Sequence, residues 1–300
     1  MHKKIEKHFS VFFIMAIAIG IFFPSFGMIF EPYILYFLLT ILFLSCLKID
    51  THEVITHLKK PLLITYITVM LLIIIPITLF FMTRHIYPEL ALPVLILTAM
   101  PAGMSTAALT DISKGNISLS LVITTTTTLL CPFTIPFLLK YLTVSELTIP
   151  IYTMLIMLSK IIFLPFIAAI ITKKIAKKQI ENTRHYYSSI SILLIMPLII
   201  GPLAKHSGYY QNNLGQILNI TLYLFVISAI LHIIGWFMLF RSKKKDRIST
   251  SITCAYMNSS LAIVFTAQFF TPLVLLPVIL YQFPWDLMLI PFKHIISRLK

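Results

Sequence analysis

Charge is scarce in this chain. Only 11% of its 300 residues are Asp, Glu, Lys or Arg, and 10 are acidic. A soluble globular domain carries about 25% charged residues, so this composition excludes one. Glycine numbers 8, tryptophan 2 and cysteine 3. The cysteines, Cys46, Cys131 and Cys254, lie within or at the edge of apolar stretches and form no C-x-x-C. Neither a zinc site nor a disulfide framework is indicated, and they read as small apolar fillers. No G-x-x-x-x-G-K-[ST] is present, so the chain offers no ATP site of its own, and energy must come from a gradient or a partner. H-E-x-x-H, G-x-S-x-G and paired-aspartate motifs are missing as well, which argues against an intramembrane enzyme.

What is present is apolar sequence, 58% of the chain. Runs of about 20 residues recur from end to end, each long enough to cross about 30 Å of hydrocarbon. Ten candidate spans follow, at 9–23, 28–47, 61–82, 90–113, 116–140, 148–172, 186–204, 216–240, 249–268 and 270–291. The runs are too long and too uniformly apolar for barrel strands, so the spans are predicted to be helices. The start, three lysines and then an apolar run, has no small-x-small cleavage site and reads as the first transmembrane helix.

The net charge of +14 would suit nucleic acid, but no basic stripe interleaves with exposed aromatics. The cations instead cluster between spans, as a topology signal does. With both termini cytoplasmic, twenty Lys and Arg fall in inside segments, among them Lys48, Lys114, Lys173 and Arg247; only Arg84, Lys140 and Lys205 fall outside, with Lys160 inside a span. The asymmetry supports ten spans in a cell membrane, divided as 1–145 and 146–300. Five spans per half makes the second half inverted relative to the first.

Two polar interruptions, about 150 residues apart, occupy the fourth span of each half. One is Pro101-Ala-Gly-Met-Ser-Thr106, running on to Asp111; the other is Cys254-Ala-Tyr-Met-Asn258-Ser-Ser260. Broken helices at matching places are the best sequence pointer to a secondary transporter's midplane binding site. The freed backbone groups are tolerated only against protein or a water-filled cavity, and an exposed helix start attracts anions while an exposed helix end attracts cations. Pro101, Gly103 and Ser105, with Asn258, Ser259 and Ser260, are therefore candidate substrate contacts. A kink at a tight helix crossing is the plainer alternative.

In the fifth span Ser120, Thr124 and Thr128 share one helical face by i, i+4, i+8 spacing. They supply oxygen ligands to a cation or simply bond the preceding turn. Three ionisable residues lie at or near membrane depth, where charge is costly. Lys160 is the deepest and attracts an anionic substrate, pairs with a carboxylate or snorkels to the interface. Asp111, near the end of the fourth span, is a proton or ion site or an interfacial residue. Asp286 follows Trp285 in an interfacial-anchor pattern.

The first interruption continues through Lys114-Gly-Asn116 and Ser120 to Leu129-Leu-Cys-Pro132. This stretch resembles the bile acid:sodium symporter family, which reads P-G-G-T-x-S-N, then K-G-N or R-G-D, then a Ser/Thr-rich span ending in L-L-x-P. Tyr256-Met-Asn-Ser-Ser260-Leu261 resembles that family's G-M-Q-N-S-x-L, and Trp285 stands in place of a family tryptophan. The resemblance implies an all-α membrane protein of ten helices, two inverted five-helix repeats with discontinuous helices four and nine crossing. It implies a core of spans 3–5 and 8–10, a panel of spans 1–2 and 6–7, and alternating access as the two rock.

It also implies ion-binding positions at Thr106, Ser120, Thr124, Met257 and Asn258, with Cys254 where the family has its glutamate. Ala107 stands where the family has an asparagine, and Leu71, five residues before Pro76, where it tends to have a glutamine. A thiol is a soft ligand, whereas Na+ wants hard oxygens, and without a formal negative charge only dipoles offset its dehydration. The expectation is a transporter of a small organic anion with degraded sodium sites and no organic cofactor. Coupling would use Na+ at one reduced site or H+ through Asp111, or be absent; an arsenite-efflux-like permease is a related reading.

Overall fold

Apolar runs fold as helices because in hydrocarbon each backbone N–H and C=O must find its partner within its own segment. The computed structural model describes residues 9–48, 61–143, 150–212 and 214–298, and among these the regular structure is helical apart from one isolated two-residue bridge. The basic residues within 1–8, Lys59 and Lys60, the expected junction at 144–149 and Lys300 lie outside the described residues.

We number the main helices α1 (Phe9–Phe22), α2 (Ile34–Lys48), α3 (Pro61–Ile86), α4 (Ala91–Ala99), α5 (Thr106–Ile112), α6 (Ile117–Leu142) and α7 (Ile151–Ile175). Then follow α8 (Tyr187–Lys205), α9 (Leu214–Met238), α10 (Lys244–Ala255), α11 (Ser259–Phe269), α12 (Pro272–Leu280), α13 (Gln282–Leu287) and α14 (Leu289–Arg298). Among the described residues seven helical runs are long and apolar enough to cross a membrane, and three shorter apolar helices, Phe12–Phe22, Pro88–Ala99 and Ser259–Phe269, fall on the first, fourth and ninth expected spans. The protein is thus a helical membrane protein. The ninth expected span begins earlier than its apolar pattern, at Lys244, because a basic first turn can stay hydrated while the following residues, Ile248–Ala255, are all buried. Inside α3 the helix widens into a π turn at Met70–Ile74. Pro76 has no N–H for the Leu72 carbonyl, and one extra residue per turn relieves the clash of its ring.

The chain divides into two compact units. The smaller comprises Met1–Ile49, Ile156–Ile217 and Ile263–Leu276; the larger comprises Asp50–Leu155, Leu218–Ala262 and Pro277–Lys300. In the smaller, α8 packs against α1 and α2. Polar ties mark the ends of these helices: Lys205 pairs with Glu31, Lys48 Nζ donates to Ser188 Oγ at 2.8 Å, and Gln211 Nε2 donates to the Ile21 carbonyl at 2.7 Å. The larger unit holds α3–α6, α10 and most of α9, and it contains both polar interruptions.

Within the larger unit, α10 is a buried helix of small hydroxyl residues. Thr250 Oγ1 donates to the Gly235 carbonyl at 2.7 Å and Ser251 Oγ to the His232 carbonyl at 2.8 Å, so α9 and α10 meet nearly backbone to backbone. The cysteines expected as fillers are buried and unbonded to one another.

Candidate functional site

Both interruptions break their helices, and each break has a local cause. Proline disfavours helical geometry in the residue before it, and Met100 is extended (φ −67°, ψ 149°), which ends α4 at Ala99. The chain resumes helix at Thr106. The second break runs over Tyr256–Asn258, between the end of α10 and the start of α11. Asn258 starts α11 as an N-cap, its Oδ1 accepting the Leu261 N–H at 3.1 Å.

The two breaks meet. Ala102 and Met257 form an antiparallel bridge. The Gly103 N–H donates to the Tyr256 carbonyl at 2.7 Å, and the Asn258 N–H donates to the Pro101 carbonyl at 2.9 Å. Four backbone groups freed by the breaks thus satisfy one another where a helix cannot. Pro101, Ala102, Gly103 and Tyr256–Asn258 are all buried. A third tie was invisible in the sequence: the Ala102 N–H donates to Thr127 Oγ1 at 3.2 Å, from the α6 face beside the one singled out.

The expected hydroxyl ligands divide. Thr106 Oγ1 pairs with Thr124 Oγ1 at 2.8 Å and bonds the Gly103 carbonyl at 2.7 Å. Ser120 and Thr128, one turn to either side of Thr124, are buried, and among the described residues their hydroxyls have no hydrogen-bond partner. These oxygens can contribute to a cation shell, but they are neutral. Cys254 packs against Gly235, where a Cβ would come within 2.9 Å of its own, and Leu71 is buried. Among the described residues no cluster of three His, Cys, Asp or Glu exists to hold a metal ion.

The other candidates are placed as follows. Ser105 and Ser259 are half-buried and Ser260 is buried. Asp111 is exposed near the end of α5. Lys160 is exposed on α7 in the smaller unit, whereas the crossing lies in the larger. Asp286, expected as an interfacial anchor, is half-buried and bonds Gln282. Sequence reasoning missed Gln282, whose lone amide in an apolar run was the available signal.

The Lys114-Gly-Asn116 step is an architectural joint. Lys114 takes a left-handed conformation (φ 60°), letting α5 stop and α6 start within a few residues. Asn116 caps α6 by accepting from the Leu119 N–H at 3.2 Å, donates from Nδ2 to Asp246 Oδ1 at 2.7 Å, and gives its N–H to Ser249 Oγ at 2.8 Å. It ties the start of α6 to α10. Asn116→Ala removes the cap and leaves Asp246 without this donor; it is expected to destabilise the protein by about 2 kcal/mol, read as a lower thermal unfolding midpoint in detergent. An unchanged midpoint would show that the joint carries no stability.

The SBF-like CPA transporter family matches residues 7–290. The chain is 25% identical over 273 residues to the Bacillus subtilis (strain 168) protein named "Uncharacterized sodium-dependent transporter YocS", covering 90% of this chain and 84% of that one. It is 26% identical over 203 residues, 65% of the chain, to the Oryza sativa subsp. japonica protein named "Probable sodium/metabolite cotransporter BASS2, chloroplastic". It is 25% identical over 214 residues, 68% of the chain, to the Arabidopsis thaliana protein named "Probable sodium/metabolite cotransporter BASS1, chloroplastic". The matches cover 47% and 51% of the two plant proteins, about half their length. Matched along nearly its whole length, this chain belongs to the SBF-like CPA transporter family, of the bile acid:sodium symporter kind, and is a membrane transporter rather than an enzyme.

Proposed function

We propose that the protein is a secondary active transporter that moves a small organic anion by alternating access. The observation that carries this reading is the reciprocal backbone pairing of the two breaks. It gathers the ends of α4 and α10 and the starts of α5 and α11 in one buried place, where helix dipoles and capping groups concentrate. The anion binds at the start of α11 against Ser259 and Ser260, with Pro101, Gly103 and Ser105 on the facing break. The proposed architecture is two inverted five-helix halves, 1–145 and 146–300, in a multi-pass cell-membrane protein with cytoplasmic termini.

Relatives named as sodium-dependent favour Na+ as the coupling ion. The site left for it in this chain is built of neutral oxygens, with Thr106, Thr124 and Ser120 at its centre and carbonyls of the second break, around Met257 and Asn258, beside them. Proton-coupled or uncoupled transport is a second reading. It is favoured by Cys254, which packs against Gly235 and brings no charge to the crossing.

The test is uptake into liposomes by purified protein, across a panel of small organic anions and arsenite, under sodium, proton and no gradient. Uptake of at least one organic anion that exceeds protein-free liposomes supports the proposal; uptake of arsenite alone, or of nothing, defeats it. Where sodium drives uptake, Thr124→Ala removes one oxygen of the pair and is expected to raise the half-saturating sodium concentration about tenfold, equivalent to about 1.4 kcal/mol. An unchanged sodium dependence would move the cation away from Thr124.

A further inference from the structure

Three side chains join the second break to a carboxylate in the last span. Ser259, the first residue of α11, donates from Oγ to Gln282 Oε1 at 2.9 Å, and Gln282 Nε2 reaches Asp286 Oδ1 at 3.4 Å. Gln282 is only 4% exposed, so its amide has little access to solvent as a substitute partner. Asp286 lies well inside the run Pro272–Arg298 and is half-buried. Among the described residues it makes no ion pair, and its hydrogen-bond partner is this neutral amide. Carboxylates held within a span without a countercharge mark proton or ion pathways.

We infer that Asp286 is a proton-binding site linked to the start of α11 through Gln282 and Ser259, so that one proton and one anion bind together. This rests on the reading that an anion binds at the second break.

The linkage follows from donor and acceptor arithmetic. An ionised carboxylate only accepts. Gln282 must then turn its NH2 to Asp286, and its carbonyl takes the Ser259 hydroxyl hydrogen, which is the arrangement observed. A protonated Asp286 donates instead. The amide turns over, its carbonyl accepts from Asp286, and its NH2 donates to Ser259 Oγ. The Ser259 hydrogen is released to the start of α11, where it adds one donor for an anion. The same proton removes a negative charge from the vicinity. No bond is made or broken beyond the O–H of Asp286.

The neighbourhood suits a proton better than a metal cation. An amide N–H faces the carboxylate, where a cation would need further oxygens. Tyr256, from the break itself, is the titratable side chain that interacts with it; beside Tyr256 lie Tyr281, whose hydroxyl donates to the Ala255 carbonyl at 2.9 Å, and His232 of α9, whose ring packs on Tyr256 at 5.3 Å.

The experiment has two arms on full-length protein in lipid. The first uses the proton alone. Difference infrared spectra between acidic and alkaline buffer are expected to show a carboxylic-acid C=O band and a linked amide change. Asp286→Asn removes one component of the acid band, and Gln282→Leu keeps that component while losing the amide change. An acid band unchanged in Asp286→Asn overturns the proposal, as does a wild-type component displaced by sodium at constant pH. The second arm measures binding of benzoate and acetate against pH. Wild-type affinity is expected to weaken about tenfold per pH unit once Asp286 is ionised, by reciprocity of linkage, and Asp286→Asn is expected to hold the acidic-pH affinity throughout. Retained pH dependence in that variant overturns the linkage. If neither anion binds at any pH, the anion reading of the break fails for these ligands, while the infrared arm still decides whether Asp286 takes the proton.

Discussion

Gly103→Ala is expected to impair transport severely while leaving most of the protein's helix intact. A Cβ at position 103 would lie 3.0 Å from both the Met257 and the Tyr256 carbonyl oxygens and 3.3 Å from the Met257 carbonyl carbon. All three are backbone atoms of the facing break, and neither break can retreat without parting the Gly103–Tyr256 and Asn258–Pro101 hydrogen bonds. Overpacking of this kind costs about 1–3 kcal/mol, and a buried backbone group left unpaired costs about 1–3 kcal/mol more. The penalty falls on the one place where α4, α5, α10 and α11 all end or begin. Transport is therefore expected to drop at least about tenfold, with a lowered unfolding midpoint but unchanged circular dichroism. Uptake at the wild-type rate in this variant would mean that the close approach of the breaks does not matter for function.

The second large effect is expected from Gly235→Ala, and here the loss is of the folded protein. A Cβ on Gly235 would sit 2.6 Å from Ser251 Cα, 2.6 Å from the Thr250 carbonyl oxygen and 2.9 Å from Cys254 Cβ. Side-chain movement cannot relieve the first two contacts, so α9 and α10 must separate. That lengthens the Thr250–Gly235 and Ser251–His232 hydrogen bonds, which stand at 2.7 and 2.8 Å. The combined cost is about 3 kcal/mol or more. Sharply reduced yield of monodisperse protein and an early unfolding transition are the expected readouts. Adding Cys254→Gly is expected not to rescue it, because it clears one contact of three. Full rescue by that second change would mean that the obstacle is the thiol-bearing residue and not the α10 backbone.

The two glycines differ in how much the sequence told about them. Gly103 follows Pro101 in an apolar run, and that pairing already marks a break. Gly235 sits within an ordinary apolar stretch, and nothing local distinguishes it from a filler. Its role arises from α10, whose Ser and Thr side chains are small enough to admit another helix closely. The row Ser259–Gln282–Asp286 was hidden for a similar reason. Its members are 27 residues apart at the extremes, and Asp286 beside Trp285 looks like an interfacial anchor until α11 is placed against the last span. The Lys114-Gly-Asn116 step shows the reverse case: its residues stood out in sequence, but their work is to turn and cap the backbone.

Taken alone, the residue order determined that the chain is helical, that it crosses a membrane, and where two helices must fail. These follow from hydropathy and from proline, which act locally and leave hydrocarbon no alternative. Only the tertiary structure decided which freed backbone groups pair with which, which hydroxyls are used up and which are left over, and which carboxylate reaches a break. Those outcomes depend on distances of a few ångströms between segments far apart in the chain, and hydrogen bonding falls away too steeply with distance for order along the chain to specify them.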